Sequence, residues 1–270
     1  MSPRAPLLLL CLAACAAAQT APTPREIRLT PEQALSVGRR IFQNEAGGKV
    51  ELLTHWNQHE DFPSLGIGHF LWYVPGRPGR FTETFPGLLD HLAAEGVALP
   101  AWLAVTPRPG CPWNDRASFY AEFDGPRLTE LRRLLADTIP QQARFIAGRL
   151  EAALPKVLAA APAAERARLE ERFYRVAAAP NGVYALVDFV NFKGEGINPA
   201  ERYNGEGWGL LQALELMADA GPGQPSVEAF AAGCDAALTR RVANAPADRR
   251  AAEQGWLPGW RRRLATYREP

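Results

Sequence analysis

Glu45 and the stretch HEDFPSLGIGHF, His59 to Phe70, bring carboxylates, imidazoles, a hydroxyl and closely spaced glycines into a short length of chain. Three chemistries use such groups. Zinc binding would draw on His55 and His59, four residues apart, with Glu60 and His69 near. Two histidines at that spacing share a metal when both lie on one helix face. Here the run LLTHWNQHEDFP is flanked by strand-forming residues, lacks the His-Glu-x-x-His order and runs into Pro63. That disfavours a zinc-dependent hydrolase, and no metal or other cofactor is expected. Phosphate binding would use Gly66 and Gly68, but no Gly-x-Gly-x-x-Gly and no Gly-Lys-Ser/Thr follows them. The third chemistry is acid–base work by carboxylates, for which Glu45, Glu60 and Asp61 are the acids at hand.

Those side chains need elements to position them. Thr30-Pro31-Glu32-Gln33 has the order of a helix start: an N-cap threonine, proline at the first helical position and glutamine three after the cap. A helix is therefore predicted from Pro31 to about Ala46, stopping at Gly47-Gly48. Ala34, Gly38, Ile41 and Glu45 fall on one face of it, so Glu45 continues an apolar stripe. Desolvation there, and the negative end of the helix dipole, should both raise its pKa. A carboxylic acid kept protonated near neutral pH is what is needed to protonate the leaving oxygen of a glycosidic bond. From Lys49 to Tyr73, VELLTHW and LGIGHFLWY are rich in β-branched and aromatic residues and predict a small β-hairpin region. Gly66 and Gly68 would let the backbone approach a sugar or adopt positive φ.

A helix closing on glutamate, a hairpin, and then Ser64-Leu65-Gly66-Ile67-Gly68-His69 resembles the phage-type lysozymes, whose hairpin carries a Thr-Ile-Gly-x-Gly-His motif. A second patch, Tyr184 to Phe192, YALVDFVNF, is similar to the helix those enzymes place against their cleft. The resemblance covers about a quarter of the chain. It implies a lysozyme-like α+β fold, predominantly α-helical, and cleavage of a β-1,4-linked amino sugar polymer, peptidoglycan first. It makes Glu45 the general acid and Ser64, in place of threonine, a holder of the attacking water, while His69 would hydrogen-bond within the fold. The family's second carboxylate falls six residues before the threonine, and that position here is Gln58. Glu60 is the expected substitute, with Asp61 next and Glu195 in reserve. Without a second acid, a lytic-transglycosylase route applies, in which the sugar's own hydroxyl replaces water. A non-catalytic glycan-binding module on the same fold is the alternative from another class.

Beyond Pro126 the chain is expected to be helical almost throughout, with Ala152–Ala164 as a linker, a helix over Val227–Thr239 and a last one near Pro246 to Gly255. Arg77 to Pro112 is broken by glycine and proline and predicts only a short helix near Leu88–Glu95. The segment NFKGEGINPAERYNGEGWGLLQALELM is dense in polar and aromatic residues. Asn191, Lys193, Glu195, Arg202 and Gln212 could line a groove, with Tyr203 and Trp208 stacking on sugars, although Trp208 also fits a core.

Arg4 followed by the apolar run Leu7–Ala14, too short to span a bilayer, reads as a signal segment. Leu12-Ala13-Ala14-Cys15 resembles a bacterial lipobox, which would make Cys15 the acylated first residue, with 15–26 as a tether and 27–270 as one domain. Cleavage after Ala16-Ala17-Ala18 is the alternative. Residue 16 is not aspartate, so a Gram-negative outer-membrane lipoprotein facing the periplasm is expected. Cys111 and Cys234 remain, as one disulfide or as two buried thiols. A net charge of +1 argues against a nucleic-acid partner, and a monomer is expected.

Overall fold

In the computed structural model, which describes residues 25–79 and 81–269, the first helix α1 runs Pro31–Ala46. The expected signal segment, Cys15 and most of the tether lie outside the described residues. Thr30 and Gln33 form the capping box, and Gly47 closes the helix at φ 57° with its N–H donating to the Phe42 carbonyl. Ala34, Val37, Gly38 and Ile41 bury one face against a long helix α5, Ile139–Ala159. The fit at Gly38 is tight, since a Cβ there would lie 2.6 Å from the Ile139 side chain. Chain entry is fixed as well, because the Ile27 N–H donates to the Glu151 carboxylate of α5 at 3.0 and 3.1 Å.

The hairpin region differs in detail from its prediction. Val50–Leu53 is one turn of 3-10 helix, and a small antiparallel sheet follows, built from β1 Thr54–His55, β2 Ser64–Leu65 and β3 Phe70–Leu71. Its register sets His55 opposite Ser64 and Ser64 opposite Leu71. The turn into β3 is pinned from α5. The buried Gln142 Oε1 accepts the Ile67 N–H at 3.0 Å, while its Nδ-equivalent amide nitrogen, Nε2, donates to the Leu135 carbonyl. Gly66 sits in this turn at φ 65°, and a Cβ on it would lie 2.3 Å from Gln142 Oε1. Gly66→Ala should therefore cost about 2–4 kcal/mol, from left-handed strain plus a displaced buried hydrogen bond, as read by urea unfolding. A loss below about 1 kcal/mol would show that the turn relaxes freely.

The remaining helices are α2 Phe85–Ala94, α3 Arg116–Ala121, α4 Pro126–Asp137, α6 Arg166–Ala177, α7 Gly182–Lys193, α8 Leu210–Leu216, α9 Gln224–Asn244 and α10 Ala247–Ala265. The predominantly helical α+β class holds. The linker expected over Ala152–Ala164 is instead mostly helix, since α5 continues to Ala159. Alanine favours helix, and Leu150, Leu154 and Val157 keep a buried stripe running past Pro155. The last helix likewise passes Gly255 and Pro258, because burial of Trp260 and Leu264 outweighs local propensity.

Helix α3 was unexpected; Asp115 caps it through the Ser118 N–H. The core is one contiguous cluster, from Trp56, Trp72 and Phe119 beneath the sheet to Phe189, Phe230 and Tyr267 among the later helices. Cys111 and Cys234 are both buried free thiols, so no disulfide joins them. Burial pushes the Cys111 thiol up to about 12. Among the described residues no helix is long and apolar enough to cross a membrane.

Candidate active site

Glu45 stands in the last turn of α1 with its side chain 21 % exposed. Its Oε1 accepts a hydrogen bond from the Arg263 guanidinium of α10 at 3.0 Å, and its Oε2 lies 3.8 Å from His69 Nδ1. Arg263 is itself anchored. Two of its N–H groups donate to the two oxygens of Asp188, both at 2.8 Å. Asp188, on α7, is 2 % exposed and also accepts from the Tyr267 hydroxyl at 2.7 Å and the Asn44 amide at 3.0 Å. Burial works against the Arg263 charge, but the Asp188 hydrogen bonds and the Asp188 and Glu45 charges raise its pKa above the usual arginine value. Glu45 thus faces a fixed, permanent cation.

Across from Glu45, His69 ends the turn that leads into the sheet's last strand, at φ 46°, and is exposed. His55 and Ser64 are register partners, so their side chains leave the same face of the sheet. The His55 Nδ1 lies 3.1 Å from the Tyr120 hydroxyl. Burial first, then the charges of His69 and Arg116, hold His55 below the usual histidine range, with Glu60 opposing. His69 and Glu60 are thus both within electrostatic reach of His55. Among the described residues no three His, Cys, Asp or Glu side chains are grouped to hold a metal ion.

Two concave regions flank this face. Glu60 and Asp61 line a groove of about 860 Å³ together with Trp56, His59, Tyr73 and Arg116; Glu45 is not among its lining residues. The second region includes a cavity of about 110 Å³ lined by Gly68, Arg149, Asn191 and Glu195 over an apolar floor that includes Ile146 and Val187. It adjoins, through Val190 and Glu195, an open groove of about 600 Å³ along Gly194–Glu201. Gly68, Asn191 and Glu195 therefore meet on one cleft beside His69, whereas Glu60 and Asp61 belong to the other groove. Ser64 lines neither of them and lies opposite His55 in the sheet. Gly66 serves the fold of the turn rather than a cavity.

The polar segment after α7 is a tightly folded loop. Gly194 and Glu195 carbonyls accept the N–H groups of Leu210 and Leu211, and the buried Gln212 donates to the Gly196 carbonyl while accepting the Gly209 N–H. A Cβ on Gly209 would lie 2.3 Å from the Gly196 nitrogen, which explains the glycine spacing. Arg202 donates to the Gly205 carbonyl within the loop. Trp208 is buried, its ring 4.8 Å from that of Tyr203 and covered by Arg241 at 4.1 Å. The Tyr203 hydroxyl donates to the buried Glu253 at 2.7 Å. These two aromatics brace α9 and α10, and neither lines the cavities around Gly68 and Glu195.

Lys193 lies between the rings of Phe192 and Trp260, 3.9 and 3.6 Å from their centroids. Burial, followed by the charges of Arg241 and Arg263, pulls its pKa from 10.5 to about 7, with Glu253 opposing. Between those two values the unfolded chain holds a proton that the native one releases, so stability rises with pH over that window. The cost of the buried cation is complete below the folded value. Lys193→Met should gain about 1 kcal/mol more stability at about pH 6 than at about pH 9, after allowance for solvent screening. Equal effects at both pH values in chemical denaturation would refute this.

Sequence reading missed Arg263, Asp188, Arg149 and Gln142. Two carried a signal. Asp188 is an acid inside the apolar run YALVDFVNF, and Arg263 stands three residues after Trp260 and four before Tyr267, on the buried stripe that Arg261 and Arg262 leave. No family model, curated protein or solved structure matches this chain.

Proposed function

We propose that this chain is a lysozyme-like enzyme that cleaves the glycan of peptidoglycan or a related β-1,4-linked amino sugar polymer, with Glu45 as proton donor. The observation that carries the reading is Glu45 itself, a partly exposed carboxyl at a helix end, facing His69 and held by Arg263, which the buried Asp188 fixes in turn. In its acid form Glu45 gives its proton to the glycosidic oxygen as the bond from that oxygen to the sugar's anomeric carbon breaks. The carboxylate left behind then faces a counter-ion already in place, so no reorganisation is needed when the charge forms.

Two routes complete the reaction. A water activated near Ser64 by Glu60 or Asp61 would give a reducing end. Alternatively the Glu45 carboxylate takes the proton of the same sugar's 6-hydroxyl, whose oxygen closes on the anomeric carbon and gives an anhydro end. The position of Glu60 and Asp61 in a groove that Glu45 does not line favours the second route. The reading includes export and a lipid anchor at Cys15, which would hold the enzyme at a membrane within reach of the cell wall.

Purified peptidoglycan incubated with the protein should release soluble fragments lighter by one water than hydrolysis products. Fragments with reducing ends would return the second-acid role to Glu60 or Asp61. Retention of the glycan in a pull-down with no release would instead support a binding module.

A further inference from the structure

We infer that Arg149 makes the cleft selective for glycans bearing a carboxylate, such as the lactyl ether of a muramic-type sugar, and binds that group as an ion pair. The inference rests on the glycan-cleaving reading and adds a specificity residue to it.

Helix α5 buries Ile146, Leu150 and Leu154 and sets Arg149 at the rim of the 110 Å³ cavity, which Gly68, Asn191 and Glu195 also line. Among the described residues no carboxylate lies within ion-pair distance of Arg149, and its guanidinium has no hydrogen-bond partner. Its guanidinium carbon lies 5.8 Å from the Phe145 ring centroid. Glu195 reaches it only through its charge, and that carboxylate is already faced by Lys156 at 3.4 Å.

Arg149 is exposed to solvent, and the apolar side chains beside it desolvate its charge only in part. This desolvation is the largest influence on the group and holds its pKa below the usual arginine value, with Glu195 opposing. A guanidinium that lines a cavity and has no carboxylate partner is open to an anion entering beside it, and its fork matches the two oxygens of a carboxylate. Position adds to chemistry. Gly68 lines the cavity and is followed directly by His69, which faces Glu45, so an acid held at Arg149 belongs to a sugar close to the proposed proton donor. A neutral glycan gives the guanidinium no such counter-charge.

The test is calorimetric binding with Glu45→Gln, to prevent turnover, against Glu45→Gln/Arg149→Met. The probes are a peptide-free tetrasaccharide alternating N-acetylglucosamine and N-acetylmuramic acid, the same fragment with its stem peptides, and neutral chitotetraose. Arg149→Met should weaken the acidic tetrasaccharide about tenfold or more and leave chitotetraose unchanged, with partial recovery in Arg149→Lys. Loss confined to the peptide-bearing fragment would assign the carboxylate to the stem peptide. Equal loss for acidic and neutral probes, or no loss for either acidic probe, would overturn the inference.

Cleavage by the otherwise unmodified protein is measured alongside. Cleavage abolished by Glu45→Gln with binding indifferent to Arg149 leaves the enzyme reading standing and removes the specificity residue. Carboxylate-selective binding without cleavage does the reverse. Failure of all three probes to bind overturns the inference. An unchanged melting temperature for Arg149→Met will show that the fold is intact.

Discussion

Asp188→Ala should destabilise the protein by about 3–5 kcal/mol, because it removes the buried anion that holds Arg263 and strips the Tyr267 hydroxyl and the Asn44 amide of an acceptor. For a chain of this size that is a fall of roughly 10 °C in melting temperature. The double variant Asp188→Leu/Arg263→Met separates stability from function. Replacing a buried ion pair with apolar groups of similar volume is often neutral, so this variant should recover most of the lost stability. It would still leave Glu45 without its counter-ion, and turnover should stay at least about tenfold down. A double variant that regains both stability and full activity would remove Arg263 from the chemistry. A melting temperature unchanged by Asp188→Ala would show that water replaces the buried carboxylate at little cost.

Local signals in the sequence were enough to place Glu45. The capping box at Thr30 and Gln33, proline at the first helical position and the glycine stop at Gly47 are each set by neighbouring residues, and together they define where α1 begins and ends. The same holds for the turn at Gly66. Its surroundings were less accessible. The partner of Glu45, Arg263, lies 218 residues away in the chain, and only the docking of α10, which brings it onto Asp188 of α7, selects it from the run of three arginines. Gln142 reads as an ordinary helix residue until the sheet turn is docked on it. Tyr203 shows the opposite error, while Trp208 is buried as its core reading expects. Aromatics beside glycines suggested a sugar platform, whereas Arg241 and Glu253 draw both into a brace between helices. Glu60 and Asp61 were assigned by distance along the chain from Ser64, and the turn that carries them leads into the other groove.

Glu45→Gln should keep the fold and remove the proton. The amide is nearly isosteric, retains an oxygen to accept from Arg263, and relieves no buried charge, since Asp188 still holds the guanidinium. Melting temperature should move by no more than about 2 °C. Turnover should fall by about 10²–10⁴-fold or more, the contribution expected of a general acid, and further if the same group also acts as base. The decisive measurement is the rate of soluble fragment release from purified peptidoglycan by the unmodified protein and by folded Glu45→Gln, side by side. Release by the former, lost in the latter at equal melting temperature, is the predicted result. Release at the same rate from both would contradict the assignment of Glu45 as proton donor.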